Sequence, residues 1–577
     1  MLLSMGLSTF AQYAAFLAIV TLVAKPLGGY LYRVFAGEHT WLDPICLPTE
    51  RLICRLCGVV PAREMTAAEY LGSFLMLGGV PALAIYAILR LQQFLPWFFP
   101  AYLTTAMTPD LAINTALSFT TTTTWQAYAG ESTMSYVSQM LALTTGNFLG
   151  GAAGLAVGIA FMRGLARDRT ETVGNFWADV LRALLWVLLP GAVAGALVLV
   201  WQGVPMNFNP YTVTTGLDHH PQVIAQGPVA ALEIVKNLAT NGGGFFNVNG
   251  AHPFANPTPL TNFLGMLAIV LVPAALTNTF GRMIRQPRQG WMLYIVMVVL
   301  FVAGLAVVDR AETRDGAHRR AESQTPGLAI AGGNMEGKEV RFGVGGSTLT
   351  AVVTSNAATG SYNAMADSFT PLGGMVQLVN LLFGEIVFGG LGTGIVSLVM
   401  FALVAVFLAG LMVGRTPEYI GKRIEPVEIK LIVLYMLIMP AAVMALAAIA
   451  VSTRAGLAGL ATNQGPHGLT SILVAYASSF TNNGLNFAGL SANSTFYNLT
   501  TAVAMLLGRY ALIVPAVLLA GKFARQGRFP STSGTLQTDS LLFGSLLVAM
   551  VLVVTGLSYL PGLTLGPVAE HVLMRLR

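Results

Sequence analysis

Ten apolar runs of about twenty residues or more recur along this chain, and they constrain its fold more than any single motif does. They lie near 7–31, 69–95, 131–162, 174–201, 258–281, 290–309, 370–413, 429–451, 488–521 and 540–561. A run of that length matches the hydrocarbon core of a bilayer, where backbone N–H and C=O groups must be paired within a helix or a closed barrel. Only 10% of the 577 residues are charged and the mean hydropathy is +0.68. Those values exclude a disordered chain and a nucleic-acid-binding one. The fold class expected is an all-α polytopic membrane protein with about ten transmembrane helices. Three cysteines are too few for a disulfide framework.

The basic residues give the orientation. Lys25, Arg33, Arg51, Arg55 and Arg63 fall on one linker. Arg163, Arg167 and Arg169 fall on the next but one, followed by Arg282, Arg285 and Arg288. Arg415, Lys422, Arg423 and Lys430, then Lys522, Arg525 and Arg528, continue the alternation. Linkers enriched in Lys and Arg face the cytoplasm. Met1 to Gln12 has no charge, which suits a translocated N-terminus, and ten spans return the C-terminus to the same outer side. Arg575 and Arg577 oppose that placement mildly. The 310–345 segment mixes Arg310, Glu312, Arg314, Asp315, Arg319, Arg320 and Glu322 with Gly332-Gly333, and reads as a solvated external loop. Cys54 and Cys57, with Cys46 nearby, form a lone C-x-x-C. Zinc would need a fourth ligand, and His39 is the one nearby histidine, so no metal is expected there.

Four outward-facing connections each contain a half-length apolar stretch that ends in small and polar residues. They run from Pro109 to Phe119, from Pro228 to Thr240, from Ser347 to Thr354 and from Pro466 to Ser478. Thr108, Gly227 and Ser347 are the expected caps, with Pro109 and Pro228 at first helical positions. Taken at Thr123, Gly242, Gly360 and Gly484, the loops are separated by 119, 118 and 124 residues. That regularity is an internal repeat. It predicts four pseudo-repeats of helix, pore half-helix, selectivity loop and helix around a central pore, preceded and followed by one span. The corresponding units are 1–68, a first helix and cytoplasmic loop; 69–172, 173–288, 289–428 and 429–528, the four repeats; and 529–577, the last helix and tail. Ser/Thr/Asn-rich stretches at 131–136, 256–258, 367–370 and 493–496 read as N-caps of the spans that follow.

Irregular backbone at membrane depth survives only where it lines a water-filled path or is buried in protein. Glycine-rich stretches also serve helix packing, but four at near-equal spacing behind half-helices point to a ring. Such a ring offers oxygens without formal charge, and the half-helices aim their partial negative ends at it. That chemistry suits a monovalent cation that sheds its hydration shell and still leaves. The candidate filter residues are Thr121, Thr122, Thr123, Thr124 and Gln126; Asn241, Gly242 and Gly243; Ala358, Thr359 and Gly360; and Asn482, Asn483 and Gly484.

The filter stretches, above all Asn241 to Asn247 and Thr481 to Gly484, resemble the pore loops of the superfamily of K+ transporters. Longer motifs narrow this. Ser118-Phe119, Trp125-Gln126, Asn247-Val248-Asn249, Ala251-His252-Pro253-Phe254 and Asn256-Pro257-Thr258 resemble the potassium-binding A-subunit family of the bacterial Kdp potassium-transporting P-type ATPase. Phe383-Gly384-Glu385, Phe388-Gly389-Gly390 with Gly392, and Gly414-Arg415-Thr416-Pro417-Glu418-Tyr419 extend the likeness over nearly the whole chain. One departure lies in the first loop, where the family alternates Thr and Asn and this chain has Thr120 to Thr124; hydroxyls replace amides at Thr122 and Thr124.

The resemblance implies a non-catalytic member of the complex that selects K+ as its bound substrate, with no covalent cofactor. It implies three protein partners: the P-type ATPase catalytic KdpB chain that hydrolyses ATP, the KdpC chain and the small KdpF chain. It also implies membrane lipid as surroundings and the bacterial inner membrane as location. The chain itself has neither a G-x-x-x-x-G-K-[ST] loop nor an Asp-Lys-Thr-Gly site. The alternative within the superfamily is a Trk/Ktr-type channel with a cytosolic regulatory ring. Uphill transport requires a barrier below the filter. Gly389, Gly390 and Gly392 in the seventh run, read either as an unwound gate or as a close helix crossing, are gate candidates with Arg509 and with Arg415, for which a positive-inside anchor is the alternative. Arg509 is expected to repel K+ or to pair with a carboxylate below the filter. Glu385 also sits beside an apolar run, and Glu233 and Lys236 are spaced for an i,i+3 ion pair. His252 and His467 flank pore segments and are expected in loop polar contacts.

Overall fold

A computed structural model describes residues 7–94, 105–315, 333–412, 414, 417–530 and 536–576. Ten helices among the described residues are long and apolar enough to cross a membrane, and the chain is a multi-pass membrane protein. In chain order, α1 is Leu7–Ala36, α2 Asp43–Cys57, α3 Ala67–Leu91 and α4 Pro109–Thr120. Next come α5 Ser138–Ala166, α6 Phe176–Trp201, α7 Val229–Leu238 and α8 Pro259–Met283. They are followed by α9 Pro287–Thr313, α10 Gly343–Asn356, α11 Pro371–Leu382 and α12 Thr393–Met412. The last are α13 Pro426–Ser452, α14 Gly465–Phe480, α15 Thr495–Arg525 and α16 Leu541–Leu576. Strands are confined to three short antiparallel pairs among the described residues.

Helices α4, α7, α10 and α14 are the half-helices. Each packs between the helix before it and the helix after it: α3 and α5, α6 and α8, α9 and α11, α13 and α15. The two flanking spans lie outside these sets, α1 along α8 and α16 against α9 and α12. A side chain at Gly28 of α1 would meet the Ala275 carbonyl and Asn278 of α8, so glycine permits that close crossing. Helix α5 is the most enclosed span, with 83% of its apolar window buried.

The helix starts differ in part from the sequence reading. Thr258, Thr370 and Ser494 cap their helices as expected, each accepting an N–H from three residues on. Pro228 is itself the residue before α7 rather than its first helical residue. Helix α10 begins at Gly343, so Ser347 is inside it and donates its hydroxyl to the Gly343 carbonyl at 2.8 Å. Thr108 precedes α4 without a side-chain capping bond. The seventh apolar run is two helices, α11 and α12, separated by a non-helical segment. The described parts of the 310–345 segment are not a solvated loop throughout. Glu312 and Lys338 are fully buried as an ion pair at 2.8 Å, and Glu312 also accepts from the Thr370 N–H and hydroxyl at the start of α11. Arg319, Arg320, Glu322, Gly332, Arg415 and Arg577 lie outside the described residues.

Candidate functional site

The four half-helices end in loops with one shared backbone course. Left-handed residues recur in pairs: Thr122 and Thr124, Thr240 and Gly242, Ala358 and Gly360, Asn482 and Gly484. Alternating handedness turns successive peptides so that like groups face one side. This register equates Thr124, not Thr123, with Gly242, Gly360 and Gly484. The landmark in the first loop therefore moves by one residue, because spacing alone does not report φ. Thr240, absent from the sequence-derived set, joins it for the same reason.

The loops close into a ring. A Cβ on Gly242 would overlap the Thr359 carbonyl oxygen, one on Gly360 the Asn483 carbonyl, and one on Gly484 the Thr123 carbonyl. Only glycine lets backbone approach backbone that closely at positive φ. Thr124 makes the fourth junction differently. Its hydroxyl donates to the Asn241 carbonyl at 2.5 Å and accepts from the Gly243 N–H at 2.7 Å. Among the described residues no hydrogen bond is donated to the Thr123, Thr359 or Asn483 carbonyls.

Side chains of the loops are turned into the scaffold. Asn241 donates to the carbonyl and side-chain oxygens of Asn147 at 2.9 and 2.8 Å. Asn482 donates to the Thr123 hydroxyl at 2.8 Å, and Asn483 to the Thr354 carbonyl at 2.8 Å. Thr121 and Thr359 donate to the Leu117 and Ala357 carbonyls, both at 2.8 Å. Gln126 clamps loop one to loop two through both its amide atoms, each 3.0 Å from Gly244. The Thr123, Thr359 and Asn483 backbone carbonyls remain as neutral, uncommitted oxygens of the ring, together with the buried Asn241 Oδ1.

The ring separates two cavities. Above it, an opening of about 590 Å³ has Thr124, Gly242, Gly360 and Gly484 at its base and Gln126, Asn247 and Asn486 on its walls. Below it, a cavity of about 40 Å³ is lined by Thr122, Thr240, Ala358 and Asn482, the equivalent residues two positions earlier. Glu385, Gly390 and Arg509 line the lower cavity as well. Arg509 is buried on a π turn of α15 and donates to the Gly150 carbonyl at 2.7 Å and to the Thr122 hydroxyl at 3.3 Å. It forms no ion pair among the described residues, so of the two roles expected for it carboxylate pairing is not realised, although Glu385 lines the same cavity. Helix α5 makes room for this arrangement: side chains at Gly150, Gly151 and Gly154 would strike Thr122, Ala239 and the Leu391 carbonyl. The four-residue spacing of Gly146, Gly150, Gly154 and Gly158 was the sequence signal for that role.

The segment between α11 and α12 folds under the ring. Gly384, Glu385, Phe388 and Gly392 all have positive φ. A Cβ on Gly389 would overlap the Glu385 carbonyl, and one on Gly390 would lie 2.6 Å from the Thr393 hydroxyl. Thr393 donates to Glu385 at 2.9 Å, and the Leu391 N–H donates to the Thr240 hydroxyl at 2.9 Å. The second loop has its own support. The Glu233–Lys236 pair forms at 2.7 Å and is buried; Lys236 also holds Asn249, whose amide donates to the Gly242 carbonyl at 2.6 Å.

The two histidines differ from each other. His252 stacks on Phe246 at 3.7 Å; burial, with Arg341 nearby, pushes its pKa down to about 4. His467 makes the expected polar contact with a loop residue, Asp367 at 3.0 Å, and also lies 2.9 Å from Glu570, so that two carboxylates face it. Burial disfavours its charge, but the two carboxylates outweigh burial and push its pKa up to about 9.

The family described as "Potassium-transporting ATPase A subunit" matches residues 14–572. A "Potassium-transporting ATPase potassium-binding subunit" of Solibacter usitatus is 49% identical over 563 residues, covering 98% of each chain. One of the same description in Methylorubrum extorquens is 49% identical over 567 residues, again with 98% of each covered. Among solved structures, the potassium transporter TrkH from Vibrio parahaemolyticus superposes with a TM-score of 0.51. The match covers 90% of this chain and 100% of that one; at 14% identity it shows a shared fold alone.

Proposed function

The chain belongs to the family of potassium-transporting ATPase A subunits, and from that premise we propose that it is the potassium-binding and translocating component of an ATP-driven, high-affinity K+ uptake complex. Its K+ is selected at the outer face by the four-loop ring. One observation supports this most directly: a closed ring of neutral backbone carbonyls stands between an outer opening and an inner cavity. K+ exchanges its water for fixed oxygens there, and uncharged ligands let it leave again. Filter residues are those named from the sequence, with Thr240 added.

Without an ATP-hydrolysing motif, the chain depends on partners. These are the P-type catalytic KdpB chain, the KdpC chain and the small KdpF chain, in a bacterial inner membrane with both termini outside. The glycine-rich segment 384–394, with Arg509, is the barrier under the ring; Arg415, the other gate residue named from the sequence, lies outside the described residues. Leu391 pins that segment to Thr240 at the inner side of loop two.

The test is K+-stimulated ATPase activity of the purified complex, wild type against Gly360→Asp, with K+, Rb+ and Na+ titrated separately. A carboxylate at residue 360 meets the Asn483 carbonyl and breaks the ring. The expected result is K+-selective stimulation in wild type and at least a tenfold loss of apparent K+ affinity, or of selectivity, in the variant. Unchanged K+ response in a folded variant would remove the ring as the filter.

A further inference from the structure

Helix α2 has two opposed faces, and the fold accounts for one of them. Cys46, Glu50 and Cys54 are its buried face. Cys46 donates to the Leu185 carbonyl at 3.3 Å, and Arg182 lies 3.4 Å from Glu50, so this face packs on α6. Asp43, at the helix start, accepts from the Trp186 ring N–H at 2.9 Å. Trp41, just ahead of the helix, and Ile45, Leu52 and Leu56 form an opposite stripe at helical spacing. They are 73%, 72%, 57% and 76% exposed. Arg51 and Arg55 flank that stripe, exposed and without an ion pair or hydrogen bond among the described residues.

Depth is the second observation. Arg182 and Trp186 lie six and ten residues inside the start of α6 at Phe176, so α2 crosses that span about 9–15 Å along its axis. Arg182 is also the last charged residue before the apolar stretch of α6. On the other side, Trp41 has its ring 6.3 Å from Tyr30, which lies six residues before the end of α1. Helix α2 therefore lies across two spans at the level where they turn from charged to apolar, not above them in water.

We propose that α2 is an interfacial helix that docks on anionic lipid headgroups. Trp41, Ile45, Leu52 and Leu56 enter the acyl boundary, and Arg51 and Arg55 meet the phosphates. A leaflet containing anionic lipid supplies negative charge at this depth for both free guanidinium groups at once. Which leaflet is occupied rests on the orientation proposed above; the lipid chemistry does not depend on it.

The assembled complex is reconstituted in phosphatidylcholine bilayers that contain an equal share of either brominated phosphatidylglycerol or brominated phosphatidylcholine, in both leaflets. Bromine quenches indole fluorescence on contact, and the Trp41 signal is the difference between wild type and Trp41→Phe. The expected result is severalfold stronger quenching by the anionic lipid, since an arginine near such a surface is worth about a fivefold enrichment. Arg51→Gln with Arg55→Gln should bring the ratio of the two lipids toward one, and Arg51→Lys with Arg55→Lys should keep it. Equal quenching by both lipids in wild type overturns the proposal, as does quenching by neither, which would mean that protein covers the stripe.

Discussion

At the scale of single residues, the first loop is the odd one of the four. Thr124 occupies a left-handed position that glycine fills in the other three, with φ of 50°. A β-branched residue there costs about 1–2 kcal/mol. The hydroxyl offsets that cost through its two bonds to loop two, each worth about 1 kcal/mol. Thr124→Gly is therefore expected to leave the thermal midpoint of the complex within a few degrees of wild type. It also releases the Asn241 carbonyl, so the half-saturating K+ concentration of ATPase stimulation should shift severalfold. A midpoint drop of about ten degrees would show that the bridge, not the strain, dominates. That this position is left-handed was not legible in the run Thr120 to Thr124, where five identical side chains give no register.

At the scale of elements, the half-helices were legible because each is an apolar stretch ending in polar residues, and α14 even ends within two residues of its sequence boundary. Helix α2 was not. Pro48 interrupts its middle, and its exposed apolar stripe and buried Cys46, Glu50 and Cys54 invert the usual burial pattern. The segment between α11 and α12 was legible as a break from its glycines, but not how it packs. Gly389→Ala with Gly390→Ala places methyl groups on the Glu385 carbonyl and the Thr393 hydroxyl. The expected outcome is loss of coupling: ATPase turnover that no longer tracks K+ uptake in proteoliposomes. Unchanged coupling in that variant would exclude the segment as the barrier.

At the scale of the molecule, His467 joins three parts of the chain: the start of α14, the loop before α11 through Asp367, and the end of α16 through Glu570. Its pKa is raised in the folded state to about 9. The stabilisation is therefore complete below the ordinary histidine value of about 6.5 and is lost as pH rises through about 9. The thermal midpoint of wild type should exceed that of His467→Gln at about pH 6 and converge with it near about pH 10. A gap independent of pH would assign the effect to packing on Phe487 instead. Orientation is testable at Cys57, the one exposed cysteine, since Cys46 and Cys54 are buried. A membrane-impermeant maleimide should label it in inside-out vesicles and not in right-side-out ones; the reverse result would invert the topology.

The ten membrane spans, the four half-helices with their repeat and most residues of the ring loops were legible in the chain alone, because apolar patterning and glycine act over a few neighbours; α2 and three of the expected helix starts were not. Tertiary structure alone decided the rest. The ring closes through Thr124 on Asn241 and Gly242 on Thr359, partners more than 100 residues apart. Likewise only packing brings Arg509 under Thr122, Glu312 to Lys338 and His467 between two carboxylates. Such pairs leave no local signal, since what holds them together is the exclusion of water and the shape of the helices between them.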